Sequence, residues 1–144
     1  MSTEERKAII RRAVEETMNK GNMAICDEIL APDYILHTAD GMQLNSPAGF
    51  KMFISMVRSA FPDIHSKVGE IACDGDIVAL RMSFTGTNTG EFRGMAPTGK
   101  KVTMQEALFY RFQGGKVVEE WQFINQLALF QQLGITPPTA RPGG

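Results

Sequence analysis

Apolar residues recur at helical spacing in the first part of the chain and at every second position in the rest, and the change falls at Pro62. Ile9, Ile10, Ala13, Val14 and Met18 are spaced so that one face of a helix over about 3–19 is apolar. Ser2 with Glu5 three residues later supplies a capping box for its start, and Lys20-Gly21-Asn22 a glycine stop. A second, short helix is expected over about 23–30, ended by Pro32, with a short strand at Tyr34-Ile35-Leu36-His37. Ser46 before Pro47 reads as an N-cap hydroxyl followed by a proline at the first helical position, where a missing N–H costs nothing. Phe50, Phe53, Ile54, Val57 and Phe61 then mark the buried stripe of a third helix.

Beyond Pro62 the alternation predicts strands near about 66–73, 76–88, 101–113 and 116–124. Asp74-Gly75 and Gly114-Gly115 are hairpin signals, because glycine accepts the positive φ of a primed turn. A longer loop over about 89–100 carries Gly90, Gly94, Pro97 and Gly99. Helices first and an antiparallel meander after them is the α+β pattern. In the third of these strands Val102, Met104, Glu106, Leu108, Tyr110 and Phe112 share one face, and Thr103, Gln105, Ala107, Phe109 and Arg111 the other. Neither face is cleanly polar. A curved sheet with helices and a cavity on its inner side and a second copy of the chain on its outer side accounts for this, so a homodimer is expected.

Composition narrows the picture. The 144 residues suit a single domain over 1–144, with an ordered core at about 3–135 and a C-terminal tail at 136–144. With 43% hydrophobic and 22% charged residues there is material for a core and a polar surface. A net charge of -1 without Lys/Arg clusters points away from nucleic acid and anionic lipid and toward a neutral or apolar partner. No apolar run approaches the roughly 18 residues of a membrane span, and Met-Ser-Thr-Glu-Glu-Arg-Lys is too polar for a secretory signal, so no membrane association and a cytoplasmic location are expected. Cys26 and Cys73 lack C-x-x-C spacing and read as free thiols. His37 and His65 have no ligands at metal spacing, so no metal site is expected.

Several residues could carry chemistry. Glu106 sits mid-strand among Met104, Leu108 and Tyr110 on the face expected to line the pocket, either as a buried base or as the partner of Arg81 or Arg111. Arg81, between Leu80 and Met82, either orients a carboxylate or substrate oxygen or makes an interstrand ion pair. Glu119 and Glu120 alternate, so one of them points inward. His37 precedes the Thr38-Ala39-Asp40-Gly41 loop and is either an acid/base at a pocket mouth or a surface histidine. Trp121 is expected in the core or pocket wall, and most of the nine methionines in the core.

Two segments carry more than local pattern: Gly86-Thr87-Asn88 with its loop to Gly99, and Trp121-Gln122-Phe123-Ile124-Asn125. With Ala60-Phe61-Pro62-Asp63, Pro97-Thr98-Gly99 and Gln132-Leu133-Gly134 in the same order, the chain resembles the SnoaL-like polyketide cyclases, which carry Gly-Thr-His and Trp-x-x-x-Asp at the two places. The resemblance extends to the wider nuclear transport factor 2-like (NTF2-like) group, with ketosteroid isomerase and limonene epoxide hydrolase. It implies a cone-shaped α+β barrel of three N-terminal helices on a strongly curved, mostly antiparallel sheet around a deep apolar pocket. It also implies an intramolecular aldol closure on a bulky apolar or aromatic carbonyl compound, or a related isomerisation or hydration, without cofactor or metal. The family's catalytic carboxylate falls at Gln122 or Asn125 here, and its histidine at Asn88. Amides are not Brønsted bases near neutral pH. By this resemblance Asn88, Gln122 and Asn125 become carbonyl-polarising donors, Glu106 the acid/base and Arg81 an orienting group, while His37, Trp121, Glu120, Met104 and Leu108 complete the pocket. The Trp-x-x-Ile-Asn form is similar to that of the family's hydroxylase-like subgroup. Ligand binding without catalysis and hydroxylase- or epoxide-hydrolase-like chemistry are the alternatives.

Overall fold

In the computed structural model, which describes residues 1–136, the capping box forms as the spacing predicts. The Ser2 Oγ accepts from the Glu5 N–H at 3.0 Å and the Glu5 Oε1 from the Ser2 N–H at 3.2 Å. Helix α1 (Thr3–Ala13) continues as wider π-type turns over Val14–Asn19 and buries Ile10, Val14 and Thr17. The expected tail, from residue 137 onward, lies outside the described residues.

The second helix is shorter than expected: a 3₁₀ turn at Met23–Ile25 and α2 at Cys26–Ile29. Strand β1 (Leu30–His37) begins directly after it, so Pro32 lies inside a strand and does not terminate a helix. The strand tolerates it because its ladder with the neighbouring strand is interrupted between Leu30 and Ile35, where no N–H is required. After β2 (Gln43–Asn45) comes α3 (Ser46–Ala60), whose start also differs from expectation. Asn45 is the N-cap, no side-chain cap is made, and Ser46 adopts φ 65. The predicted stripe is correct, with Phe50, Ile54 and Phe61 buried and Phe53 and Val57 packed beside them.

Strands β3 (His65–Asp74), β4 (Ile77–Thr87), β5 (Lys101–Gln113) and β6 (Lys116–Ile124) match the alternation closely. Gly114 and Gly115 take φ 60 and 80, as a type I′ turn requires, and Gly75 takes φ 58. Among the described residues six strands form one sheet in the order β2-β1-β6-β5-β4-β3, in which only the β1–β6 pair is parallel.

A fourth helix, α4 (Gln126–Leu133), follows β6 and was not expected from the periodicity, because Leu127 to Phe130 is a continuous apolar run with no helical spacing to read. It is capped at both ends, by Asn125 at the start and by Gly134 at φ 73. Helix α1 packs against β3, α3 against β1 and α4 against β5. Two apolar clusters result, one around Ile10, Tyr34, Leu36 and Val78, the other around Phe61, Val102, Leu129 and Leu133. No helix among the described residues is long and apolar enough to cross a membrane.

Candidate active site

A cavity of about 360 Å³ runs between the two clusters and is walled mainly by apolar side chains, among them Ile10, Phe50, Phe53, Met82, Leu108 and Leu129. That volume lies within the usual range for small-molecule sites, about 300–1,000 Å³. Two buried carboxyls interrupt the apolar wall, Glu106 and Glu120, and a third, Asp40, lines the cavity where it is partly exposed. Strand alternation places the first two. Glu106 stands opposite Met82 on β4 and Ile124 on β6, and Glu120 stands opposite Tyr110 on β5. The β5–β6 ladder shifts register at Val118, ahead of Glu119, so Glu120, Gln122 and Ile124 stay on the cavity face and Glu119, Trp121 and Phe123 on the other. The two acids are four ladder positions apart, with Leu108 and Gln122 between them. They bracket the space a ligand would fill.

Their surroundings differ. The Tyr34 hydroxyl, fully buried, donates to Glu120 Oε1 at 2.7 Å, and the Gln122 amide lies 3.4 Å from Oε2. Burial raises the Glu120 carboxyl to about 7, against these two hydrogen bonds, which favour the ionised form. Glu106 has no such donors. Burial and then the nearby charge of Glu120 push it up to about 8. Both carboxyls are thus raised from the usual carboxylate range toward neutral pH, by burial in each case. Tyr110, on the same face and opposite Glu120, is held protonated by its burial and then by the charges of Glu120 and Glu106.

Of the residues singled out in the sequence, Glu106, Glu120, Gln122 and Leu108 meet at the cavity wall. The others lie elsewhere. Asn88 is buried, but its side chain is saturated by the 88–100 loop and the end of α3: Nδ2 donates to Gly90 O at 2.8 Å and Ala60 O at 3.3 Å, and Oδ1 accepts from the Thr98 N–H at 2.9 Å and hydroxyl at 3.0 Å. With every amide valence used, it is a loop brace and not a free donor. Asn125 accepts from the Ala128 N–H at 3.0 Å as the N-cap of α4 and borders only a shallow groove on the outer side of the sheet. Arg81 is exposed on the outer face, where it grips Glu70 at 2.7 and 2.8 Å and Gln105 at 3.0 Å, so it is an interstrand tie. Met104 is core, buried against α4 with its sulfur 3.2 Å from the Gln132 amide.

His37 and Trp121 also fall on the outer face. Their rings stack at 5.5 Å, and His37 Nε2 lies 2.6 Å from Glu119, which also accepts from Arg111 at 3.0 Å. Sequence reasoning passed over Tyr34 and Arg93. Tyr34 follows by alternation from the same short strand as His37, one face over, and that signal was present. Arg93 comes from a loop whose course only the folded chain defines. It stands at the cavity mouth with Asp40, 3.7 Å away, beside the exposed Met42, Met52 and Met56.

The profile of the SnoaL-like polyketide cyclases matches residues 8–133. The chain belongs to the SnoaL-like polyketide cyclase family. Among curated relatives, the aklanonic acid methyl ester cyclase AcmA of Streptomyces galilaeus is 26% identical over 133 residues, 90% of this chain and 91% of that protein. Among solved structures, AclR of Streptomyces galilaeus, a candidate hydroxylase, is 34% identical with a TM-score of 0.81, covering 94% of this chain and all of that one (100%). A SnoaL-like protein of Jannaschia sp. CCS1 has a TM-score of 0.87 at 20% identity, over 94% of this chain and 95% of its own, a likeness of fold. The four helices and six-stranded mixed sheet of the described residues are the NTF2-like α+β architecture expected for this family.

Proposed function

We propose that this SnoaL-like protein catalyses cofactor-independent acid/base chemistry on an apolar, carbonyl-bearing small molecule, of the kind that closes a ring by an aldol step. The observation that carries this reading is the pair of buried carboxyls, Glu106 and Glu120, facing one apolar cavity with ionisation displaced into the neutral range. Glu120, the more acidic of the two and held by Tyr34, is the base: it takes the proton from the carbon next to a carbonyl. Glu106, still protonated, donates to the oxygen on which negative charge develops. When the enolate carbon attacks a second carbonyl, a C–C bond forms as that C=O π bond breaks; the new alkoxide takes the proton held by Glu120, and the first carbonyl re-forms and returns its proton to Glu106, so both acids regain their starting states. The cavity walls fold the substrate and exclude water, which strengthens both proton transfers. This differs from the assignment made on sequence, where Glu106 alone was the acid/base.

The test uses an apolar aryl ketone in D₂O, following deuterium incorporation next to the carbonyl by NMR. Exchange above the buffer rate is expected for the wild type, with a loss of about a hundredfold or more in Glu120→Gln. A ketone that binds but does not exchange would make the cavity a carrier or binding site. A product one oxygen heavier would turn the reading toward the hydroxylase activity proposed for AclR.

The same proposal includes a homodimer through the outer face of the sheet. Phe109 and Phe123 are exposed there, 40% and 56%, and pack edge-to-face at 6.0 Å. Such an aromatic patch on a sheet is suited to a second copy. Sedimentation at micromolar concentration should give a dimer that Phe123→Lys dissociates; a wild-type monomer removes this part of the proposal.

A further inference from the structure

The cavity has a polarity that the acid/base steps do not use. Its inner wall carries Glu106 and Glu120, and among the described residues its one basic lining side chain is Arg93, at the mouth beside the third lining carboxyl, Asp40. Arg93 is held there at some steric cost. Phe92 and Met95 exchange backbone hydrogen bonds at 3.1 and 2.9 Å, and the two residues between them, Arg93 at φ 50 and Gly94 at φ 76, form a tight turn that favours Asn-Gly or Gly-Gly. A side chain with a Cβ in that place points to a role for the side chain.

The guanidinium is fixed in place but not saturated. It lies 5.1 Å from the Phe92 ring centroid and 5.9 Å from that of Phe130, and donates to Gln126 Oε1 at 3.0 Å. Asp40, at 3.7 Å, is an ion partner beyond hydrogen-bonding distance. Burial opposes the Asp40 charge, but hydrogen bonds from Thr38 and the Met42 N–H, with Arg93 nearby, hold its carboxyl below the usual range, so it stays ionised. Of the five N–H groups of the arginine fork, one has a direct acceptor among the described residues. The rest remain available at the entrance.

We propose that Arg93 is a specificity residue that receives a carboxylate on the end of the ligand remote from the reacting carbonyl, so that the substrate is an apolar, ring-bearing acid. This rests on the acid/base reading of the cavity. An anionic group placed deep would face the charge of Glu120 in a poorly solvated space, whereas at the mouth it meets a planar cation preset for bidentate pairing. The ligand then enters with its apolar end first and its carbonyl reaches Glu106 and Glu120. Asp40 competes for the same guanidinium and tempers the preference.

The experiment is a fluorescence titration of the full chain with 2-anthroate and with its methyl ester, alike in ring and differing in charge. The wild type should bind the acid about fivefold or more tighter than the ester, and the margin should shrink with salt. Arg93→Met should remove the margin and leave ester binding within about twofold, which also reports that the cavity is intact. Asp40→Asn should widen it. Equal or tighter ester binding by the wild type would overturn the proposal. So would an Arg93→Met variant that weakens both probes alike, which is a purely structural role, or no binding of either probe at about 1 mM. Failure here is separable from failure of the acid/base reading: deuterium exchange in a neutral ketone depends on Glu120 and not on Arg93.

Discussion

Glu106→Gln should stabilise the protein, and by an amount that grows with pH. The carboxyl titrates at its usual 4.5 in the unfolded chain and at about 8 in the folded one, because burial and the charge of Glu120 resist its ionisation. The folded state thus keeps a proton that the unfolded state has lost. Wild-type stability then falls as pH rises from about 4.5 to about 8 and is level with respect to this group outside that window. The glutamine variant has no such slope. At about 1.4 kcal/mol per unit of displaced titration, its advantage over the wild type should increase by about 3 kcal/mol between about pH 5 and about pH 8. For a chain of this length that is roughly 10 °C in melting temperature. Urea denaturation followed by circular dichroism at the two pH values measures it. A stability difference constant to within about 1 kcal/mol across that range would show that Glu106 ionises freely, and the acid role would be lost with it. In a Glu120→Gln background the fall due to Glu106 should end at a lower pH and be smaller in total, since one cause of its displacement is gone.

Ketone exchange should follow a bell in pH, with its acid limb near 7 from Glu120 and its alkaline limb near 8 from Glu106, and Glu106→Gln should lose the alkaline limb; a flat profile contradicts the pairing. Asn88→Ala removes a buried amide with four partners and should cost about 2–4 kcal/mol in urea melts, and an unchanged melt would refute its bracing role. Asn125→Ala should cost about 1 kcal/mol as a lost N-cap while exchange rates hold; a collapse of exchange at unchanged stability would return Asn125 to the site. Gly90→Ala should be poorly tolerated, because its Cβ would sit 1.9 Å from the Ser59 carbonyl oxygen, and a wild-type melting temperature would contradict that packing.

Much of the architecture was legible along the chain because it is set by short-range rules. The period-two run from β3 to β6 and the glycine turns gave strand ends within about a residue or two, and alternation placed Glu106 on the face of Leu108 and Tyr110. The capping box at Ser2 likewise depends on residues three apart. Errors arose where one residue type serves two purposes. Pro32 stops a helix in most settings but sits in a strand when the ladder beside it is broken. Asn125 resembles a site amide and is a helix cap, and Asn88 is spent on its own loop.

By itself the sequence determined the α+β class, the order of strands along the chain, the family resemblance and one cavity acid, all readable from neighbours within a few residues. Only the tertiary structure decided which side groups share a space. The parallel β1–β6 pairing brings Tyr34 to Glu120 across 86 positions of sequence, and the register of β5 against β6 keeps Glu120 inside and Glu119 with His37 outside. Arg93 reaches the cavity mouth through a turn closed by backbone hydrogen bonds and set by contacts with α4 and the loop of Asp40. Proton affinity and charge complementarity depend on distance and on exclusion of water, and both are settled only when distant segments pack.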